Sequence, residues 1–189
     1  MTVANQITIA RILLIPIFVL FCIYYGKSVE SGAPLEWQRL VAIGVFILAA
    51  CTDGIDGYVA RRWNQRSRLG AILDPIADKG LLLTAIITLS LTHWTHSFPM
   101  WFVVLVIARD VLILLGCGLL HFLHQNLEIR PSMMGKAATA LQMLSLAMIM
   151  LQLPSYLALV YVAGIFTFIS GVEYLIRGIS QLRHNEKTN

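Results

Sequence analysis

Charge is scarce in this chain. Only 13% of its 189 residues are Asp, Glu, Lys or Arg, and the mean hydropathy is +0.75. A water-soluble globular domain carries about a quarter charged residues, so a soluble enzyme or soluble binding module is excluded. Cysteine is scarce as well. Cys22, Cys51 and Cys117 lie within or beside apolar runs and read as small buried hydrophobes, not as a disulfide framework or redox centre. No detachable soluble region stands out, so one membrane domain is expected over residues 1–189. No A-x-A-like site follows the first apolar run, which is therefore expected to remain as a span and not as a cleaved signal peptide. The net charge of +4 comes from basic residues scattered through the connections. That argues against nucleic acid and suits the anionic headgroups of one leaflet.

What the chain does have is apolar runs along its whole length. A spanning helix needs about 20 mostly apolar residues. Six stretches qualify: 7–26, 38–60, 69–92, 98–122, 133–152 and 155–180. Gly26, Gly32 and Pro34 break the chain after the first, Pro99 opens the fourth, Pro131 precedes the fifth and Pro154 separates the last two. The expected fold is an all-α integral membrane protein of six transmembrane helices. MTVANQITIAR is less apolar than the span it leads into and is expected as a short N-terminal interfacial helix. Arg61, Arg62, Arg66 and Arg68 crowd one connection, Arg130 lies in another, and Arg183 and Lys187 lie in the tail. The alternate connections hold few cations, so the positive-inside rule places both termini in the cytoplasm.

Against this background the stretch from Ala50 to Gly80, ACTDGIDGYVARRWNQRSRLGAILDPIADKG, is anomalous. It sets Asp53, Asp56, Asp74 and Asp78 among apolar segments. One aspartate at the centre of a spanning helix costs about 2.5–3.5 kcal/mol, so four left in lipid would cost roughly 10–14 kcal/mol. They line a wet cavity, pair with cations or sit solvated at the membrane edge. Spacing argues against the inert edge. Asp53 and Asp56 are i,i+3, and Asp74 and Asp78 are i,i+4, so each pair shares a helical face. The members of a pair are separated by only about 4.5 and 6 Å along the axis. Like charges so close repel unless cations neutralise them or protons are shared. The stretch contains neither Cys nor His, and an oxygen-only ligand set suits Mg²⁺ or Mn²⁺ over Zn²⁺. Gly57 and Gly70 leave room for close approach of helices and ligand, and the planar fork of Arg61 suits a phosphate. Carboxylate-held metals with glycine and arginine beside them point to metal-dependent phosphoryl transfer at the cytoplasmic membrane face.

The same residues resemble a known family signature. D-x-x-D-G-x-x-A-R, eight residues, then G-x-x-x-D-x-x-x-D marks the CDP-alcohol phosphatidyltransferases. Here it reads Asp53-Gly-Ile-Asp56-Gly57-Tyr-Val-Ala60-Arg61, eight residues, Gly70-Ala-Ile-Leu-Asp74-Pro-Ile-Ala-Asp78. Every signature position is filled at the family's spacing. NQITIARILLIP near the start and GKAATALQ from Gly135 to Gln142 are similar to the family too. The resemblance implies transfer of the phosphatidyl group of CDP-diacylglycerol to an acceptor hydroxyl, with release of CMP. It implies two divalent cations, Mg²⁺ or Mn²⁺, held by Asp53, Asp56 and Asp74 with Asp78 also at the site. Asp78 would be the base that deprotonates the acceptor, and Gly57, Ala60, Arg61 and Gly70 would bind CDP-diacylglycerol. It also implies a homodimer with a site in each protomer, at the cytoplasmic face of a bacterial inner membrane.

For the acceptor, sn-glycerol 3-phosphate, giving phosphatidylglycerol phosphate, is the first expectation. The alternative is phosphatidylglycerol, giving cardiolipin, because ARD at Ala108–Asp110 and RPSMMGK at Arg130–Lys136 are similar to the family's cardiolipin synthases. Both acceptors carry a phosphate. Arg109 and Asp110 interrupt the fourth span, where an arginine is costly and faces a cavity or pairs with an acid on a neighbouring helix. Arg109 and Lys136 are the candidate cations for the acceptor's phosphate, with snorkelling as the bland alternative for Lys136. A remote alternative is a divalent-cation transporter using the same carboxylates, which would leave Gly57, Arg61 and Gly70 unexplained. His121 and His124 are i,i+3 and read as a hydrated surface pair. His93 and His96 flank Trp94 where an aromatic belt is expected. Gly164, Gly171 and Gly178 recur every seven residues, the spacing of close helix packing.

Overall fold

The computed structural model describes the backbone of residues 3–63, 68–122 and 132–186, and the side chains of residues 9–52, 79–116 and 132–178. Six helices run along it: α1 (Val3–Glu30), α2 (Glu36–Trp63), α3 (Arg68–Leu91), α4 (Met100–Phe122), α5 (Met133–Met150) and α6 (Tyr156–Glu186). There is no strand among the described residues. Each helix coincides with one of the six expected stretches. Ile9–Glu30, Met133–Met150 and Tyr156–Gly178 are long and apolar enough to cross a bilayer. The other expected spans fall on α2, α3 and α4, whose side chains are described only in part.

The chain divides into two compact units, Met1–Phe98 and Pro99–Asn189. In the first, α1 packs against both α2 and α3. Phe18, Cys22, Tyr25, Ala42, Phe46, Ala49, Leu81, Ala85, Ile86 and Leu89 form its core. The Phe18 and Phe46 rings meet at 5.7 Å between centroids. Cys22 is fully buried and free, in keeping with its reading as a small hydrophobe.

Two expectations at the ends of α1 are corrected. The N-terminal stretch is not a separate interfacial helix. Residues 3–11 are the opening turns of α1 itself, because no glycine or proline before Pro16 interrupts the hydrogen-bond ladder. Nor does Gly26 end the helix. It lies inside α1, where a Cβ would come within 3.1 Å of Thr92 Cβ and 3.2 Å of the His93 backbone nitrogen. Its lack of a side chain therefore serves close approach. The terminator is Gly32, at φ +75°. Gly32 N–H donates to the Val29 carbonyl and Ala33 N–H to the Ser28 carbonyl, the paired bonds of a Schellman motif.

Trp94 departs from the lipid-facing belt as well. It is 6% exposed, its Nε1–H donates to the Cys22 carbonyl at 3.0 Å, and its ring meets Tyr25 edge-on at 4.7 Å. The apolar ring and the polar N–H are both satisfied inside the protein.

In the second unit, α6 packs against α4 and α5. Ser132 caps α5, its hydroxyl accepting from Met134 N–H at 3.2 Å. α5 ends at Leu151, and Gln152 takes φ +57° to turn the chain. Of the three heptad glycines, Gly164 lies at a close contact and Gly171 at an ordinary van der Waals one. A Cβ at Gly164 would sit 2.8 Å from the Trp101 ring, and one at Gly171 would sit 3.7 Å from Arg109 Cγ. At Gly178 nothing among the described residues lies within 4 Å.

Candidate functional site

In the first unit α2 carries Asp53, Asp56, Gly57, Ala60 and Arg61, and α3 carries Gly70, Asp74 and Asp78. Their side chains lie outside the described residues, so the backbone is what positions them. Asp53 and Asp56 lie about 15 and 10 Å before the end of α2, and Asp74 and Asp78 about 9 and 15 Å after the start of α3. All four thus fall within about four turns of the helix ends that flank the α2–α3 connection. Among the described residues no three His, Cys, Asp or Glu side chains form a metal-binding group.

The second unit presents a polar cluster in full. Arg109 lies within α4 and is 8% exposed. A buried guanidinium needs partners for its charge and its N–H groups, and its surroundings supply them. Nη1 donates to Asp110 Oδ1 at 2.7 Å and Nη2 to Ser170 Oγ at 3.2 Å. The guanidinium carbon lies 6.0 Å from the centre of the Tyr174 ring. The carboxylate partner found here comes from the adjacent residue of α4, not from a neighbouring helix. Gly135 closes the cluster, since a Cβ there would stand 3.0 Å from Arg109 Nη2 and 3.3 Å from Ser170 Oγ. Arg109 Nε is buried with no hydrogen-bond partner among the described residues. A guanidinium has five N–H donors, so Arg109 keeps donors in reserve.

The remaining polar groups of this unit follow α6. Ser132 donates to the Glu173 carboxylate, which also receives Arg177. Deeper, Gln142 Nε2 donates to Thr167 Oγ1 at 2.9 Å, and the Thr167 hydroxyl in turn donates to the Ala163 carbonyl at 2.7 Å. Lys136 is exposed, and its backbone N–H donates to the Ser132 carbonyl at 3.1 Å. Gly135 and Arg109 are brought together as neighbours of one cluster, whereas Lys136 points from the next position of the helix. Ser170, Glu173 and Tyr174 were not singled out in the sequence. The signal was there: Thr167, Ser170, Tyr174 and Arg177 repeat at three- and four-residue steps through an otherwise apolar helix. His121 and His124 lie outside the described side chains.

The class of protein is identified by sequence comparison. The profile of the CDP-alcohol phosphatidyltransferase family matches residues 1–170. CDP-diacylglycerol–glycerol-3-phosphate 3-phosphatidyltransferases from Escherichia coli K12 and Shigella flexneri serotype 5b are each 36% identical to this chain over 182 residues, 92% of either length. The chain belongs to the CDP-alcohol phosphatidyltransferase family. It is a membrane-associated transferase of phospholipid biosynthesis.

Proposed function

We propose that this chain transfers the phosphatidyl group of CDP-diacylglycerol to a hydroxyl of sn-glycerol 3-phosphate, releasing CMP and giving phosphatidylglycerol phosphate. The choice of acceptor is carried by the relatives that are 36% identical over 92% of both chains, whose names specify glycerol 3-phosphate. Arg109 suits the phosphate that either acceptor carries: a mostly buried guanidinium whose Nε–H has no partner among the described residues is what a phosphate oxygen would engage. Lys136 is the second proposed contact to that phosphate.

The donor site is assigned to the aspartate helices. Residues 53–78 offer only oxygen ligands for a cation, with no Cys or His among them, and all four aspartates fall within about four turns of the α2–α3 connection. This donor set fits two Mg²⁺ or Mn²⁺ ions, with Asp53, Asp56 and Asp74 as ligands and Asp78 beside them. When bound, such ions would offset the charge of the diphosphate and of the leaving group. The protein's own residues do the rest. Gly57, Ala60, Gly70 and Arg61 bind the cytidine and diphosphate. Asp78 takes the proton of the acceptor hydroxyl, whose oxygen bonds to the phosphorus bearing the diacylglycerol. The bond from that phosphorus to the bridging oxygen breaks, and its electron pair leaves with CMP.

The setting belongs to the same proposal. Six spans, both termini and the α2–α3 connection in the cytoplasm, one membrane domain serving a single reaction and a homodimer of such chains are supported by the apolar runs, the basic connections and the family. The test is purified protein in micelles with CDP-diacylglycerol and Mg²⁺ or Mn²⁺, following CMP release as acceptors are varied. Release with glycerol 3-phosphate is expected. Release with phosphatidylglycerol alone would transfer the assignment to cardiolipin synthesis, and no release with any acceptor would end the transferase assignment of this site.

A further inference from the structure

One side of α1 carries Arg11, Ile15, Phe18, Cys22 and Tyr25 at alternating steps of four and three residues. All but Ile15 are buried, and Arg11 is 0% exposed. A guanidinium at the foot of an apolar stripe is out of keeping with its neighbours. A buried charge needs an opposite charge near its own level, since an uncompensated one is strongly destabilising.

Two contacts settle what lies at that level. A Cβ on Gly80 would lie 3.9 Å from Ile15 Cδ1, tying α3 to α1 at this height. The two helices run in the same direction, because Cys22 near the end of α1 meets Trp94 just beyond α3. Toward the start of α1, Arg11 lies about 6 Å from Ile15, while Asp78 and Asp74 lie about 3 and 9 Å from Gly80 in the same direction. The second register comes from α2, which runs opposite to α1, since Tyr25 Oη donates to Glu36 Oε1 at the start of α2. The Phe18 and Phe46 rings meet across this pair at a tilt of 50°. Arg11 is seven residues from Phe18 and Asp53 seven from Phe46, each about 10 Å toward the same end. By both registers Arg11 stands level with Asp53 and between Asp74 and Asp78.

We propose that Arg11 is the resident cation of the aspartate site, a fixed charge from α1 that offsets the carboxylates and sets how tightly divalent cations bind there. This rests on the reading that the aspartates hold divalent cations. A guanidinium at the same height repels an arriving cation. Its removal therefore tightens cation binding, whereas loss of a merely structural residue would loosen the site and weaken it.

The experiment measures Mn²⁺ binding to the purified full chain in micelles by the electron paramagnetic resonance signal of free Mn²⁺. Arg11→Met and Arg11→Gln are expected to bind Mn²⁺ about tenfold tighter than the unaltered protein, and Arg11→Lys within about twofold of it. Unchanged or weaker binding in the two neutral variants would overturn the role of Arg11. If the unaltered protein binds no Mn²⁺, or Asp53→Asn with Asp74→Asn leaves binding intact, the divalent reading itself fails. If neither neutral variant folds while Arg11→Lys folds and binds as the unaltered protein does, the charge role stands. If Arg11→Lys fails to fold too, shape and not charge is what α1 supplies, and the proposal falls.

Discussion

Arg109 of α4 and Ser170 of α6 meet at 3.2 Å, the guanidinium donating to the hydroxyl, and Gly135 of α5 leaves them room, since a Cβ there would press on both. Three helices of the second unit thus converge on one cation. The Gly135→Ala variant places a methyl 3.0 Å from Nη2. The far end of a long side chain is able to shift, so the fold should survive while the guanidinium moves. We expect the KM for glycerol 3-phosphate to rise about tenfold, the worth of one charge-assisted hydrogen bond. The KM for CDP-diacylglycerol should stay unchanged. Steady-state CMP release against each substrate checks this.

Asp78→Asn keeps the size of the side chain and removes its basicity. If Asp78 takes the acceptor's proton, turnover falls by about 10²–10⁴-fold. Chelation of divalent cations should abolish CMP release in the unaltered protein and restore it on adding back Mg²⁺ or Mn²⁺. Activity that persists in excess chelator would remove the cations from the reaction.

Trp94→Phe keeps an aromatic ring against Tyr25 but deletes the bond to the Cys22 carbonyl. That bond is worth about 1 kcal/mol, so the thermal midpoint in detergent should fall by about 2–4 °C. A belt residue in contact with lipid would tolerate the change.

Gly164→Ala meets a rigid ring and not a flexible chain end. Its Cβ would be 2.8 Å from Trp101, and Trp101 is itself stacked on Tyr161 at 5.3 Å. Overpacking of this kind costs roughly 1–3 kcal/mol. Gly178→Ala, with open space among the described residues, should cost nothing measurable. Paired thermal unfolding of the two variants makes the comparison.

Helix number and approximate bounds were legible in the sequence, because length and apolarity are local properties and Pro99, Pro131 and Pro154 punctuate the runs. The proposed chemistry of residues 53–78 also rests on sequence, since i,i+3 and i,i+4 carboxylates without Cys or His share a helical face and suit a hard cation wherever the helices lie. The sequence alone likewise carried the family, through residues whose spacing is constrained by the reaction. Composition could not say which partner each side chain meets. Trp94 looked like a belt residue until the turn after α3 brought it onto Cys22 and Tyr25. Gly26 looked like a terminator until Thr92 came against it. Arg11 passed as one more charge in an interfacial leader until Gly80 and Phe46 showed how α3 and α2 register on α1. The partners of Arg109 come from α4 and α6, with Ser170 61 residues along the chain from it. Contacts between residues so distant depend on how helices pack, and no local pattern encodes them.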